Sequence, residues 1–298
     1  MSTMQQPTPP SLEALAAMPP TVRARALARS LWVGAARTRR IGVGGEFREL
    51  REYRPGDPTR QIDWRASARR DRWLVREDEH VAHWRIVIWL DQSSSMRYPP
   101  DTPWSKDVAA ATVAGAAALA ALWQGHTVAL WMGTEHGRPP RGGETGERLL
   151  LNQLDGIGGT ASAAAASSWP EDIPAMLRVA DMVWLVGDLL DPPWPTDLFP
   201  ALGVAAQRGR TVRALRIAHR DEETFDLRGP TLFEPLEGND STRRLQPETV
   251  RAAYLEAYAT HQRDLAIAAE RAGVTLGRYR TDHDPHTATR FLAEGMPA

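Results

Sequence analysis

Residues 85–96 read RIVIWLDQSSSM. The segment 85–90 is a near-continuous apolar run. A strand with one wet face alternates apolar and polar residues, whereas a strand covered on both faces does not, so this run predicts a buried strand of a parallel sheet. The run stops at Asp91, and the polar turn Gln92-Ser93-Ser94-Ser95 follows. In an open α/β sheet, ligands collect at the carboxyl ends of the strands. Asp91, Ser93 and Ser95 stand at alternate positions there, a spacing that can aim one carboxylate and two hydroxyls at a common centre. Such hard oxygen donors suit one divalent cation, Mg²⁺ first, with Mn²⁺ or Ca²⁺ as alternatives. Few charges around the ion would leave it electrophilic and drawn to an outside carboxylate. A plainer reading makes the serines helix caps and Asp91 a turn acceptor. Placement after a buried strand favours the ligand reading.

Outward from this stretch, strands alternate with helices. Helices are predicted over 106–124, 174–180, 199–208, 246–272 and 285–294, and strands over 126–132, 181–186, 211–218 and 274–281. Residues 148–154 read as a short strand or a helix start. The alternation predicts an α/β fold with a doubly wound, mostly parallel sheet over 85–298. The turn signals Gly229-Pro230 and Gly238-Asn239-Asp240 predict an inserted hairpin at about 220–245. Upstream, 1–10 reads as a disordered tail, and 11–34 as helix broken near Pro19-Pro20 with Ser11 as cap. Residues 37–57 read as loop with short strands, and 73–79 as a strand. Together, 11–84 is an N-terminal helical and Arg-rich extension. Trp84, Trp89, Trp131 and Trp184 are expected in the core.

Two more oxygen donors complete the candidate set. Asp188 follows the buried strand 181–186 and can bring a second carboxylate, with Asp191 as a competitor. Thr160, after Gly158-Gly159, can enter from a loop, although a plain turn residue accounts for it equally well.

The chain has 298 residues and no cysteine, which excludes disulfides and thiolate metal sites. The net charge of -1 hides an asymmetry: residues 1–90 carry 16 Arg against 10 acidic residues, and the remainder is acidic. The basic excess is modest and interspersed with acids, so no nucleic acid is expected as a partner. Lys106 is the only lysine. No signal peptide and no membrane span are predicted; the Ala-rich stretch 108–123 reads as a buried helix, and a cytoplasmic location follows. Gly-x-Ser-x-Gly, His-Glu-x-x-His and a P-loop lysine are all missing, so no enzyme is predicted. The cluster Asp282-His283-Asp284-Pro285-His286 reads as an ordinary helix start before it reads as a metal site.

Residues 44–77 read GGEFRELREYRPGDPTRQIDWRASARRDRWLVRE. Tyr53-Arg54-Pro55-Gly56-Asp57 predicts a tight turn. Asp57 and Asp63 among the arginines predict an ion-pair network, with Trp64 as a packing anchor. Arg70 and Arg72 are the candidates for a partner surface, since a guanidinium pairs well with carboxylates. This stretch resembles the signature of the bacterial family DUF58 at Phe47, Arg51, Tyr53, Pro55-Gly56-Asp57, Arg60, Ile62-Asp63-Trp64, Ala68-Arg69 and Val75. Gly229-Pro230-Thr231-Leu232-Phe233 and the long C-terminal helix resemble it too.

The resemblance implies a von Willebrand factor A-like domain with a metal-ion-dependent adhesion site (MIDAS). In that site two serines and a threonine supply hydroxyls, aspartates bind directly or through water, and one position is left for a partner's Asp or Glu. It also implies partnership with a MoxR-type AAA+ ATPase, or with a client delivered to it. Many such proteins carry N-terminal transmembrane helices, a pattern from which this sequence departs. The expectation is therefore a metal-dependent interaction protein using Asp91, Ser93, Ser95, Thr160 and Asp188. The rivals are a metal-independent scaffold that binds through its Arg-rich face, and a metal-dependent hydrolase.

Overall fold

The structure is a computed structural model that describes residues 10–35, 46–55, 57, 59, 62–70, 72–79, 83–132, 138–157, 173–190, 198–234, 242–294 and 296. In chain order the elements are α1 (Leu12–Ala16), α2 (Pro20–Ala35), β1 (Glu46–Glu52), α3 (Trp64–Arg70), β2 (Leu74–Glu79), β3 (Arg85–Leu90), α4 (Lys106–Trp123), β4 (Thr127–Met132), α5 (Gly143–Asp155) and α6 (Ile173–Val179). There follow β5 (Met182–Gly187), α7 (Phe199–Gln207), β6 (Thr211–Ala218), α8 (Arg220–Thr224), β7 (Thr231–Phe233), β8 (Arg243–Leu245), α9 (Pro247–Ala272), β9 (Thr275–Arg280) and α10 (Pro285–Ala293).

Five strands pair in the order β4-β3-β5-β6-β9, every pair parallel. The chain runs outward from β3 to β4, then returns to place β5 on the other side of β3. This reversal is the switch point of a doubly wound sheet, and it opens a crevice beyond the ends of β3 and β5. Side chains of β3 alternate between two cores. Ile86, Ile88 and Leu90 join Trp184 and Leu215 under α4, while Val87 and Trp89 join Val183, Leu185 and Val212 under α7 and α9. Trp89, Trp131 and Trp184 are buried as expected, whereas Trp84, also expected in the core, is only partly buried and packs against it.

The helix α4 is KDVAAATVAGAAALAALW, and it is buried almost all round. Its small side chains admit α2, α5 and α10 against it, and α5 and α10 also pack on the sheet. Among the described residues it is the one helix long and apolar enough to cross a membrane, and 94% of it is already covered within the fold.

The described residues fall into two compact units, one within 10–35 and 84–296 and the other within 46–83. The first helices therefore group with the sheet and not with the Arg-rich segment, unlike the grouping expected over 11–84, because α2 packs against α4. The tail 1–9 lies outside the described residues. Residues 148–154 belong to helix α5; Leu150, Leu151 and Leu154 face inward at helical spacing. The segment 220–245 opens with a helical turn, α8, before β7 and β8 pair as an antiparallel hairpin.

Within the Arg-rich unit, β1 and β2 pair antiparallel, and α3 appears where no helix was predicted. Asp63 starts α3: its Oδ1 accepts from the backbone N–H of Arg65 and of Ala66. Asp57 closes the expected tight turn by accepting from the Arg54 N–H. Both carboxylates thus accept from backbone N–H groups. Trp64 is 62% exposed and meets Trp73 edge to face, so it is not the packing anchor expected of it.

Candidate ion-binding site

Asp91 leaves β3 and Asp188 leaves β5, so both carboxylates stand at the switch point. The Asp91 N–H donates to Val186 O at 2.9 Å, which continues the β3–β5 pairing up to the site. Gly187 makes the approach possible. A Cβ on Gly187 would fall 2.6 Å from Asp91 Cβ and 2.7 Å from its Oδ2. Beyond Asp91 the chain makes a 3-10 turn, Ser94–Arg97. The Ser93 N–H donates to Asp91 Oδ1 at 2.8 Å, which fixes that turn over the carboxylate.

Three oxygens then line up. Ser93 Oγ and Ser95 Oγ lie 3.0 Å apart, and Ser95 Oγ donates to Asp188 Oδ2 at 2.6 Å. Asp188 Oδ1 accepts from the Leu190 N–H at 3.2 Å. Between them Leu189 has φ of 57°, a left-handed conformation uncommon for leucine. Its side chain is buried in the α7–α9 core, and its carbonyl lies 2.8 Å from His261 Nε2, so packing and a polar contact hold the turn.

The sequence reading missed Lys106. Its ammonium, at the start of α4, is fully buried and donates to Asp188 Oδ2 at 2.9 Å and to Glu222 Oε1. Burial alone would pull the lysine pKa down; the Asp188 and Glu222 carboxylates outweigh it and raise the value above the ordinary one. Lys106 therefore stands as a fixed positive charge. The available signal was compositional: a chain with 36 basic residues has a single lysine, and a lysine presents a compact point charge.

Glu222 is held in turn. Its Oε2 accepts from the His219 N–H at 2.7 Å, and His219 Nδ1 accepts from the Asp221 N–H, a capping box at the start of α8. Tyr98 OH donates to Asp221 at 2.8 Å, and burial together with that carboxylate raises the tyrosine pKa. The segment expected to be a plain hairpin thus sends Glu222 into the site.

The donor set suits a hard cation. Oxygens at right angles around Mg²⁺ at its usual distance lie about 3 Å apart, which is the spacing of the two serine hydroxyls. Two carboxylates and two hydroxyls form the group; among the described residues no three or more His, Cys, Asp or Glu are grouped so that they could hold a metal ion. Asp91, Ser93, Ser95 and Asp188 come together, whereas Thr160 and Asp191 lie outside the described residues. Arg70 and Arg72 belong to the Arg-rich unit; both are exposed, and Arg72 pairs with Glu52 at 2.5 Å. Asp284 caps α10 and Asp282 pairs with Arg280, as expected of a helix start.

Three curated relatives are similar to this chain: uncharacterized proteins of Mycobacterium tuberculosis (two strains) and Mycobacterium bovis. Each is 28% identical over 261 residues, covering 82% of this chain and 77% of theirs. No solved structure matches. Residues 49–264 match the family described as "Protein of unknown function DUF58", a span that takes in most of the Arg-rich unit, the site and most of the sheet. The chain belongs to the DUF58 family.

Proposed function

We propose that this protein is a divalent-cation-dependent interaction module of the von Willebrand A type. Asp91, Ser93, Ser95 and Asp188 would line the site of one ion, the aspartates directly or through water, Mg²⁺ in preference to Mn²⁺ or Ca²⁺, with Thr160 as the expected further hydroxyl. The observation that carries this reading is the convergence of the Ser93, Ser95 and Asp188 oxygens at the switch point. Bound there, an ion would supply a Lewis-acid position for an outside carboxylate. The chain's own residues do the rest. Asp91 orients the serine turn, Gly187 lets the loops approach, and Asp188 fastens the β5 loop to Ser95.

The partner that the family resemblance suggests is a MoxR-type AAA+ ATPase, or a client of it, offering an Asp or Glu. A pull-down of such an ATPase from the same genome, with and without chelator, tests the reading. Binding lost on chelation and with Asp91→Ala is expected. Chelator-insensitive binding that is lost with Arg70→Ala and Arg72→Ala would instead favour the metal-independent scaffold.

A further inference from the structure

The geometry points to Lys106 as a positioning residue that keeps Asp188 from bonding the ion directly and so sets how tightly the site holds a divalent cation. This inference rests on the ion-site reading above and goes beyond it. Asp188 Oδ2 takes two hydrogen bonds, from Lys106 Nζ at 2.9 Å and from Ser95 Oγ at 2.6 Å, while Oδ1 takes the Leu190 N–H. A carboxylate so engaged is anchored from three sides. The ammonium cannot withdraw to solvent, because Lys106 is fully buried and its other anion, Glu222, is held by the His219 N–H. A direct bond from Asp188 Oδ2 to a divalent ion would bring two like charges within a few ångströms in a poorly solvated crevice, a strongly repulsive arrangement. The outcome is a site whose close carboxylate is Asp91, with Asp188 tied back by a fixed cation. A weakly neutralised ion of this kind demands an anion from outside.

The opposing view makes Lys106 structural, so that its loss would disorder Asp188 and weaken the site. The two views predict opposite signs. Calorimetric titration of the full chain with MnCl₂ separates them. Lys106→Met is expected to bind Mn²⁺ at least about tenfold more tightly than wild type, because Asp188 becomes available. Glu222→Gln is expected to bind at least about threefold more weakly, because Lys106 then bears on Asp188 alone. The double variant Lys106→Met/Glu222→Gln restores the net charge, yet it is expected to remain tighter than wild type; equality with wild type would reduce the effect to net charge and overturn the positioning role.

Equal or weaker binding by Lys106→Met also overturns it. If Lys106→Met does not fold, Glu222→Gln decides: unchanged or tighter binding overturns the proposal. Absence of Mn²⁺ binding by wild type and all variants removes the ion reading itself, whereas binding that is merely indifferent to these substitutions removes only the role of Lys106. Thermal melts of each variant without metal establish that the folded chain is being titrated.

Discussion

Ser95 Oγ donates to Asp188 Oδ2 across 2.6 Å, joining two loops whose residues lie 93 positions apart in the chain. The bond ties the end of β3 to the end of β5 where the sheet reverses its winding. Its acceptor is a buried carboxylate, so it belongs to the stronger class of hydrogen bond. Ser95→Ala is expected to lower stability by about 1–3 kcal/mol, the cost of leaving a charged acceptor short of one donor. Urea unfolding checks the stability, and Mn²⁺ titration of the same variant is expected to show weaker binding.

Asp188→Ala is expected to cost more. It leaves Lys106 buried with Glu222 alone, and removing one partner of a buried pair typically costs about 3–5 kcal/mol. The same method compares it with Ser95→Ala; a loss no larger than that of the serine variant would show that Lys106 is neutral or solvated.

Gly187→Ala tests the close approach of the two loops. The new methyl would fall 2.6 Å from Asp91 Cβ, so Asp91 or the β5 end must shift. Overpacking of this kind costs about 1–3 kcal/mol. Loss of Mn²⁺ binding is expected to accompany it, because Asp91 is the displaced group. Wild-type affinity in a folded Gly187→Ala chain would mean that Asp91 is not a ligand.

His286 gives a pH dependence. It lies on α10, with Nε2 against Ser30 Oγ of α2, and burial holds its pKa below the ordinary value of 6.5. The unfolded chain therefore takes up a proton before the folded chain does. Stability is full above the ordinary value and declines as pH falls below about 6.5 toward the depressed folded value. Melting temperatures recorded from pH 7.5 down to about 5.5 are expected to fall, and His286→Leu is expected to flatten that slope.

Arg72→Ala separates binding from stability. The Arg72–Glu52 pair is more than half exposed on both sides, and exposed pairs contribute within about 1 kcal/mol. Its melting point is expected to stay close to wild type. If the Arg-rich unit takes part in recognition, the ATPase pull-down is expected to weaken nonetheless.

Much of the sheet was legible because its strands are apolar runs and its helices carry helical spacing, signals set by burial on two faces. The loop at Asp91 was legible for the same reason: a buried strand ended on a carboxylate. The Arg-rich unit was misread in detail. Asp63 beside arginines looked like an ion pair, yet its position two and three residues before free N–H groups made it a helix cap. The carboxylate serves the local backbone there. Residues 148–154 were ambiguous because a short apolar run fits either period.

What the sequence alone determined was which residues end buried strands and which oxygens they carry: Asp91, Ser93 and Ser95 after one strand, Asp188 after another. Tertiary structure decided which of these meet. Strand order put β5 beside β3, so Asp188 reached Ser95. The starts of α4 and α8 put Lys106 between Asp188 and Glu222. No spacing rule links residues 106, 188 and 222, because their charges interact through space in a buried setting, and only the folded chain sets those distances.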